Sequence, residues 1–88
     1  MLKEKSYYEN IYELYIYSKD KQIIWENYRH DTLKTALEHL AENIEDNKNE
    51  QYYFEIYFVR NYVFYYKETD KETEILENKL IVSGYTNN

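Results

Sequence analysis

The sequence contains no cysteine and no proline, and its single glycine is Gly84. Without cysteine there can be no disulfide framework, no thiolate metal site and no cysteine nucleophile. The staples usual in a small secreted domain are also missing, so a reducing, cytoplasmic setting is expected. A phosphate cradle built from a glycine-containing loop is excluded, because Gly84 lies near the carboxyl end with no helix start behind it. Long apolar runs are lacking as well: nothing approaches the roughly 18 consecutive apolar residues of a membrane span, and Met1-Leu2-Lys3-Glu4-Lys5-Ser6-Tyr7 is too polar for a signal peptide. Positive charge is scarce, with 11 Lys and Arg against 17 Asp and Glu, a net charge of −6 and a pI near 4.9. Bare DNA, RNA and anionic lipid all need clustered Lys and Arg, so no direct nucleic-acid or membrane contact is expected, and a basic protein fits better.

What the chain does have is aromatic material. Its 88 residues are 43% hydrophobic and 19% aromatic, enough for one domain with its own core and too few for two. The aromatics comprise 13 Tyr against 3 Phe and 1 Trp. Each tyrosine hydroxyl needs a partner or water when covered, so many of these rings should sit half exposed.

With little proline or glycine punctuation, elements have to be read from periodicity. Residues Asn10 to Tyr17 alternate, with Tyr12, Leu14 and Ile16 on one side and Ile11, Glu13, Tyr15 and Tyr17 on the other, which is the period of a half-buried strand. Ser18-Lys19-Asp20-Lys21 reads as a turn and Gln22 to Tyr28 as the returning strand of a hairpin. Asp31 or Thr32 can cap a helix over Thr32 to Asp46, whose apolar stripe is Leu33, Leu37, Leu40, Ala41 and Ile44. Gln51 to Lys67 alternates again, Tyr52, Phe54, Ile56 and Phe58 against Tyr53, Glu55, Tyr57 and Val59. Arg60-Asn61 inside it is compatible with a turn, although the alternation persists and favours one long or bulged strand. Thr69-Asp70-Lys71-Glu72 reads as a turn, and Leu76, Leu80 and Val82 keep a two-residue rhythm broken by Asn78, with a short helix as the alternative. Asn87 and Asn88 are expected to fray. The order ββαββ predicts an α+β fold: a mainly antiparallel sheet of four or five strands with one amphipathic helix on one face.

Catalytic groups are hard to assemble. Ser6, Ser18 and Ser83 share no local context with His30 or His39, and His39 with Glu42, or Glu26 with His30, leaves a metal shell incomplete. Acid pairs such as Glu9 and Glu13 arise by chance in so acidic a chain. The expectation is a non-enzyme without cofactor or metal.

Two surface features remain. On the helix Glu38, Glu42 and Glu45, with Asp46 beside them, form a row of acids on the side away from the leucines, spaced about 5 to 6 Å along the axis, as a nucleic-acid backbone spaces its charges. On the sheet, Glu9, Glu13, Tyr15 and Tyr17 would lie near Tyr53, Glu55 and Tyr57 if the first and third strands are neighbours, giving a tyrosine and acid surface suited to Lys and Arg on a partner. A solvated helix face carries the same charges, and AT-rich codon usage enriches the same residue types. Small size, acid excess and aromatic interleaving resemble the phage or mobile-element inhibitors of bacterial defence, of the anti-CRISPR and anti-restriction kinds. The resemblance implies a stoichiometric inhibitor in the cytoplasm of a bacterial host cell, occupying a basic groove of a nuclease or CRISPR effector. An immunity protein neutralising a toxin, and a homodimer formed by pairing strand edges, are the alternatives.

Overall fold

Alternating side chains settle into strands wherever one face can be buried, and here four long segments do so around one helix. The computed structural model describes residues 5–65 and 71–86. In chain order it contains β1 (Lys5–Tyr17), β2 (Ile24–His30), α1 (Leu33–Asp46), β3 (Tyr52–Tyr65) and β4 (Lys71–Thr86). The strands form one sheet in the order β2-β1-β3-β4, each neighbouring pair antiparallel. This is the α+β, ββαββ architecture that the periodicity predicts.

Several boundaries differ from the expectation. β1 starts at Lys5 and not near Asn10, because Lys5 to Glu9 pair in register with Asn61 to Tyr65. β3 passes straight through Arg60-Asn61 without turning. The last segment is a strand over its whole length; its broken rhythm comes from two bulges, where Leu76 and Ile81 are extra residues against β3. Lys71 and Glu72, expected in a turn, belong to β4. Lys67, Thr69, Asp70, Asn87 and Asn88 lie outside the described residues.

The helix is capped by Thr32, whose hydroxyl accepts a hydrogen bond from the Thr35 amide at 3.1 Å. It packs on the face that carries Leu14, Ile16, Tyr52 and Ile56, and with Ala36 and Leu40 these form the core beneath it; Tyr12, Tyr28, Leu33, Ile44 and Phe54 close around it. On the other face of the sheet Ile11, Val59 and Val63 are buried as well. The expected stripe is corrected at two positions: Leu37 is 43% exposed and Ala41 is also exposed, whereas Ala36 is fully buried. The helix meets the sheet along Leu33, Ala36, Leu40 and Ile44, rotated by one residue from the leucine-rich stripe. The small Ala36 lets the backbones approach, and the half-buried Asn43 accepts a hydrogen bond from the Tyr52 hydroxyl and donates one to Glu26 at 3.3 Å.

The sheet outruns its cover. A 14-residue helix is about 21 Å long, while a 13-residue strand spans about 43 Å. Beyond the helix, the same face is finished by ring contacts, Tyr8 against Tyr62 at 5.3 Å with the Arg60 guanidinium 5.1 Å from the Tyr8 ring. The result is an elongated molecule, 55 × 26 × 21 Å, with a radius of gyration of 16.2 Å; a compact chain of this length would have about 12 Å.

Candidate binding face

On the side of the sheet away from α1, the β1–β3 register sets Tyr17 opposite Tyr53, Tyr15 opposite Glu55 and Glu13 opposite Tyr57. Directly opposed residues of an antiparallel pair share a face with close Cβ atoms, so the acid and tyrosine positions converge. Glu55 is the centre. Its Oε1 accepts hydrogen bonds from the hydroxyls of Tyr17 at 2.8 Å and Tyr57 at 3.1 Å, and its Oε2 accepts one from Tyr53 at 3.2 Å. Beside it the Tyr15 hydroxyl donates to Glu13 at 3.3 Å. The rings lock together, Tyr15 edge-on to Tyr57 at 5.7 Å and stacked near Tyr17 at 6.1 Å.

Burial is the first reason that Tyr15, Tyr17 and Tyr57 all hold their protons above the ordinary tyrosine range; the neighbouring carboxylates, Glu13 for Tyr15 and Glu55 for the other two, push the same way. The phenols therefore stay donors. A shallow depression of about 250 Å³ lies among Tyr15, Tyr17, Tyr57 and Asn78.

A cation already rests on this surface. The hairpin tip is tied by Ser18, which donates to the Asp20 carboxylate at 2.7 Å, and by the Gln22 amide, which donates to the same carboxylate at 3.0 Å. These bonds hold the Asp20 carboxyl below its usual range. Lys21 takes a left-handed conformation, φ 66°, and its Nζ lies 4.2 Å from the centre of the Tyr53 ring and 5.5 Å from that of Tyr85. Lys21, Tyr85 and Asn78 were not legible as part of this face; only the pairing of β4 and the turn geometry bring them there.

The structure thus gathers Glu13, Tyr15, Tyr17, Tyr53, Glu55 and Tyr57 on one surface. Glu9 shares the face but turns to other partners, accepting from Asn61 at 3.2 Å and Arg29 at 3.3 Å. Glu38, Glu42, Glu45 and Asp46 are exposed on α1, on the opposite side of the sheet, with Glu45 3.6 Å from Lys48. One flat partner surface cannot touch both sets.

A second cluster joins elements that are distant in sequence. His30 at the end of β2 and His39 on α1 are in hydrogen-bond contact, Nε2 to Nδ1, at 2.8 Å, with the Tyr28 ring 4.0 Å from His39. Burial, then the neighbouring His39, holds His30 below its ordinary pKa. Among the described residues no group of three or more His, Cys, Asp and Glu could hold a metal, and no helix is long and apolar enough to cross a membrane. No family model, curated protein or solved structure matches the chain.

Proposed function

We propose that the chain is a non-catalytic binding protein that captures a basic protein partner with the tyrosine and carboxylate face of its sheet. The observation that carries this reading is the Glu55 carboxylate held by three tyrosine hydroxyls, with the Lys21 ammonium seated on the adjoining Tyr53 ring. A partner's Lys or Arg meets the same two features, an aromatic plane and a fixed negative charge. Each cation over a ring contributes about 0.5–2 kcal/mol depending on desolvation. Tyrosines already fixed by mutual contacts lose little further rotamer freedom on binding, which favours them as anchors.

With its acid excess and small size, the chain would act as a stoichiometric inhibitor, covering a basic nucleic-acid groove of a bacterial defence nuclease or CRISPR effector. The acidic row on α1 faces away from the anchors, so its part is long-range attraction, which speeds encounter and is screened by salt. The test is a titration of a purified candidate effector with the wild type, with Tyr53→Ala/Tyr57→Ala and with Glu38→Lys/Glu42→Lys/Glu45→Lys, using nucleic acid as competitor. The tyrosine pair should cost more than about 2 kcal/mol of binding, while the helix reversal should mainly slow association at low salt. Loss of binding with the helix variant alone would transfer the contact to α1. Simultaneous binding of nucleic acid and this chain would remove the groove reading.

A further inference from the structure

β4 is an edge strand, and it is unlike the other edge. Along its length nearly every residue is exposed, including Ile75 at 63%, Leu76 at 47%, Leu80 at 46% and Ile81 at 41%. An edge strand presents backbone donors and acceptors to a second strand; β4 carries charged residues and two bulges, which usually blunt such an edge, so its side chains must select any pairing. The residues on it run Ile75-Leu76-Glu77-Asn78-Lys79-Leu80-Ile81. Read outward from Asn78 in both directions, this stretch gives a charge of opposite sign, then leucine, then isoleucine.

We propose that two copies of the chain pair antiparallel along β4 about a two-fold axis through Asn78. In that register Glu77 of each copy faces Lys79 of the other, Leu76 faces Leu80, and Ile75 faces Ile81. Further out Glu74 meets Val82 and Glu72 meets Gly84, so no two like charges are opposed. Other registers are worse. A slip that changes the pairing by one residue sets Leu76 against Lys79 or Glu77 against Leu80; a slip of two sets Glu77 against itself or Lys79 against itself. Opposite charges facing each other across strands stabilise, and like charges destabilise, so the sequence selects one register. The two bulges leave Glu77 to Leu80 regular between them, which is the centre of the pairing. β2 has no such symmetry: folded about Asn27, its seven residues would set Trp25 against Arg29 and Glu26 against Tyr28.

An isologous contact of this kind joins the two four-stranded sheets into one. Residues opposed in an antiparallel pair point to the same side, so the tyrosine faces of both copies lie on one surface. Asn78 also lines the depression beside Tyr15, Tyr17 and Tyr57, so the two depressions flank the axis and the assembled surface is bivalent. The pairing does not depend on what that surface binds.

Sedimentation equilibrium of the full chain should give twice the 11.0 kDa monomer mass. Glu77→Lys and Lys79→Glu each create two like-charge pairs per dimer and should each weaken self-association by about tenfold or more. An equimolar mixture of the two should recover association as a heterodimer, because at both positions a lysine of one chain then meets a glutamate of the other. Glu77 also faces Arg60 within its own sheet, so a thermal melt of each variant checks folding, and recovery on mixing shows that both partners are folded. Asn78→Cys supplies the chain's only thiol, placed opposite its symmetry mate within disulfide reach, and should give a covalent dimer on oxidation. A wild type that stays monomeric at about 100 µM, where a dissociation constant in the micromolar range would leave most chains paired, overturns the proposal. So does a dimer that neither reversal weakens, or reversals that mixing does not rescue.

Discussion

The two faces of this four-stranded sheet are made by the same alternation, yet they are finished differently. On the face under α1, Leu14 and Ile56 are completely buried, and aliphatic side chains with the buried Tyr52 ring make the contacts. On the opposite face the stretch nearest the hairpin tip, Glu13 to Tyr17 on β1 against Tyr53 to Tyr57 on β3, presents half-buried tyrosines and acids bonded through their hydroxyls. Further along, Ile11, Val59 and Val63 are buried on that same face. The first arrangement removes apolar area from water, worth about 1.5–3 kcal/mol for each large side chain fully buried. The second stabilises less, because its hydrogen bonds replace others to water, but it holds polar groups in fixed positions. The aliphatic burial under α1 and the fixed polar cluster around Glu55 thus lie on different faces.

The sharpest way to break this division is to truncate the covered face. Leu14→Ala or Leu40→Ala should cost about 2–5 kcal/mol by chemical denaturation, through lost transfer energy and the cavity left behind. Leu37→Ala, although a leucine on the same helix, should cost less, about 1 kcal/mol or below, because Leu37 is already 43% exposed. Equal effects for Leu37 and Leu40 would show that α1 is rotated from the position described.

The open face should respond more weakly. Glu55→Ala removes the acceptor of three phenols and should cost about 1–2 kcal/mol, the scale of a few partly solvated hydrogen bonds to a charged group. It should also bring the Tyr17 and Tyr57 ionisations down in an alkaline spectrophotometric titration, though not to the ordinary value, because burial is the larger cause of their shift. Unmoved tyrosine titrations would mean that the hydroxyls do not converge on Glu55.

That difference between faces also governs how much could be read beforehand. The alternation of Tyr12, Leu14 and Ile16 against Glu13, Tyr15 and Tyr17 sorts both strands correctly onto their faces, since a strand's two-residue period is fixed by the pleat. The meeting of Glu55 with Tyr17 and Tyr53 follows once β1 and β3 are neighbours. The helix was less transparent: a pattern of apolar residues cannot foresee that Ala36, with little side chain to bury, takes the closest contact while Leu37 is left outside. Nor does any local signal join His30 to His39, or bring the Lys21 ammonium over Tyr53; these depend on a chain reversal at the hairpin tip and on how the helix docks. β4 shows the same limit, with bulges at Leu76 and Ile81 on either side of Asn78 that only the pairing with β3 defines.

The smallest expected effect lies at the margin of the covered face, where α1 meets β2. His30 is held below its ordinary pKa by burial and by His39, with Asp31 pulling the other way, so the folded state binds a proton at this site less readily than the unfolded chain does. Stability then rises with pH wherever the unfolded state carries more protons. The contribution of neutral His30 is complete above the unfolded value of about 6.5 and declines as the pH falls below it, because the unfolded chain is protonated first. Thermal melts taken across this range should therefore show a falling midpoint on acidification, superimposed on the slope from the carboxylates. His30→Asn removes the titrating group and should flatten the curve near pH 6 more than at pH 8, while Leu37→Ala should leave its shape unchanged. A wild-type midpoint no more sensitive to pH than that of His30→Asn would mean that the two imidazoles are solvated independently, and that the seam between helix and edge strand is held by Tyr28, Glu26 and Asn43 alone.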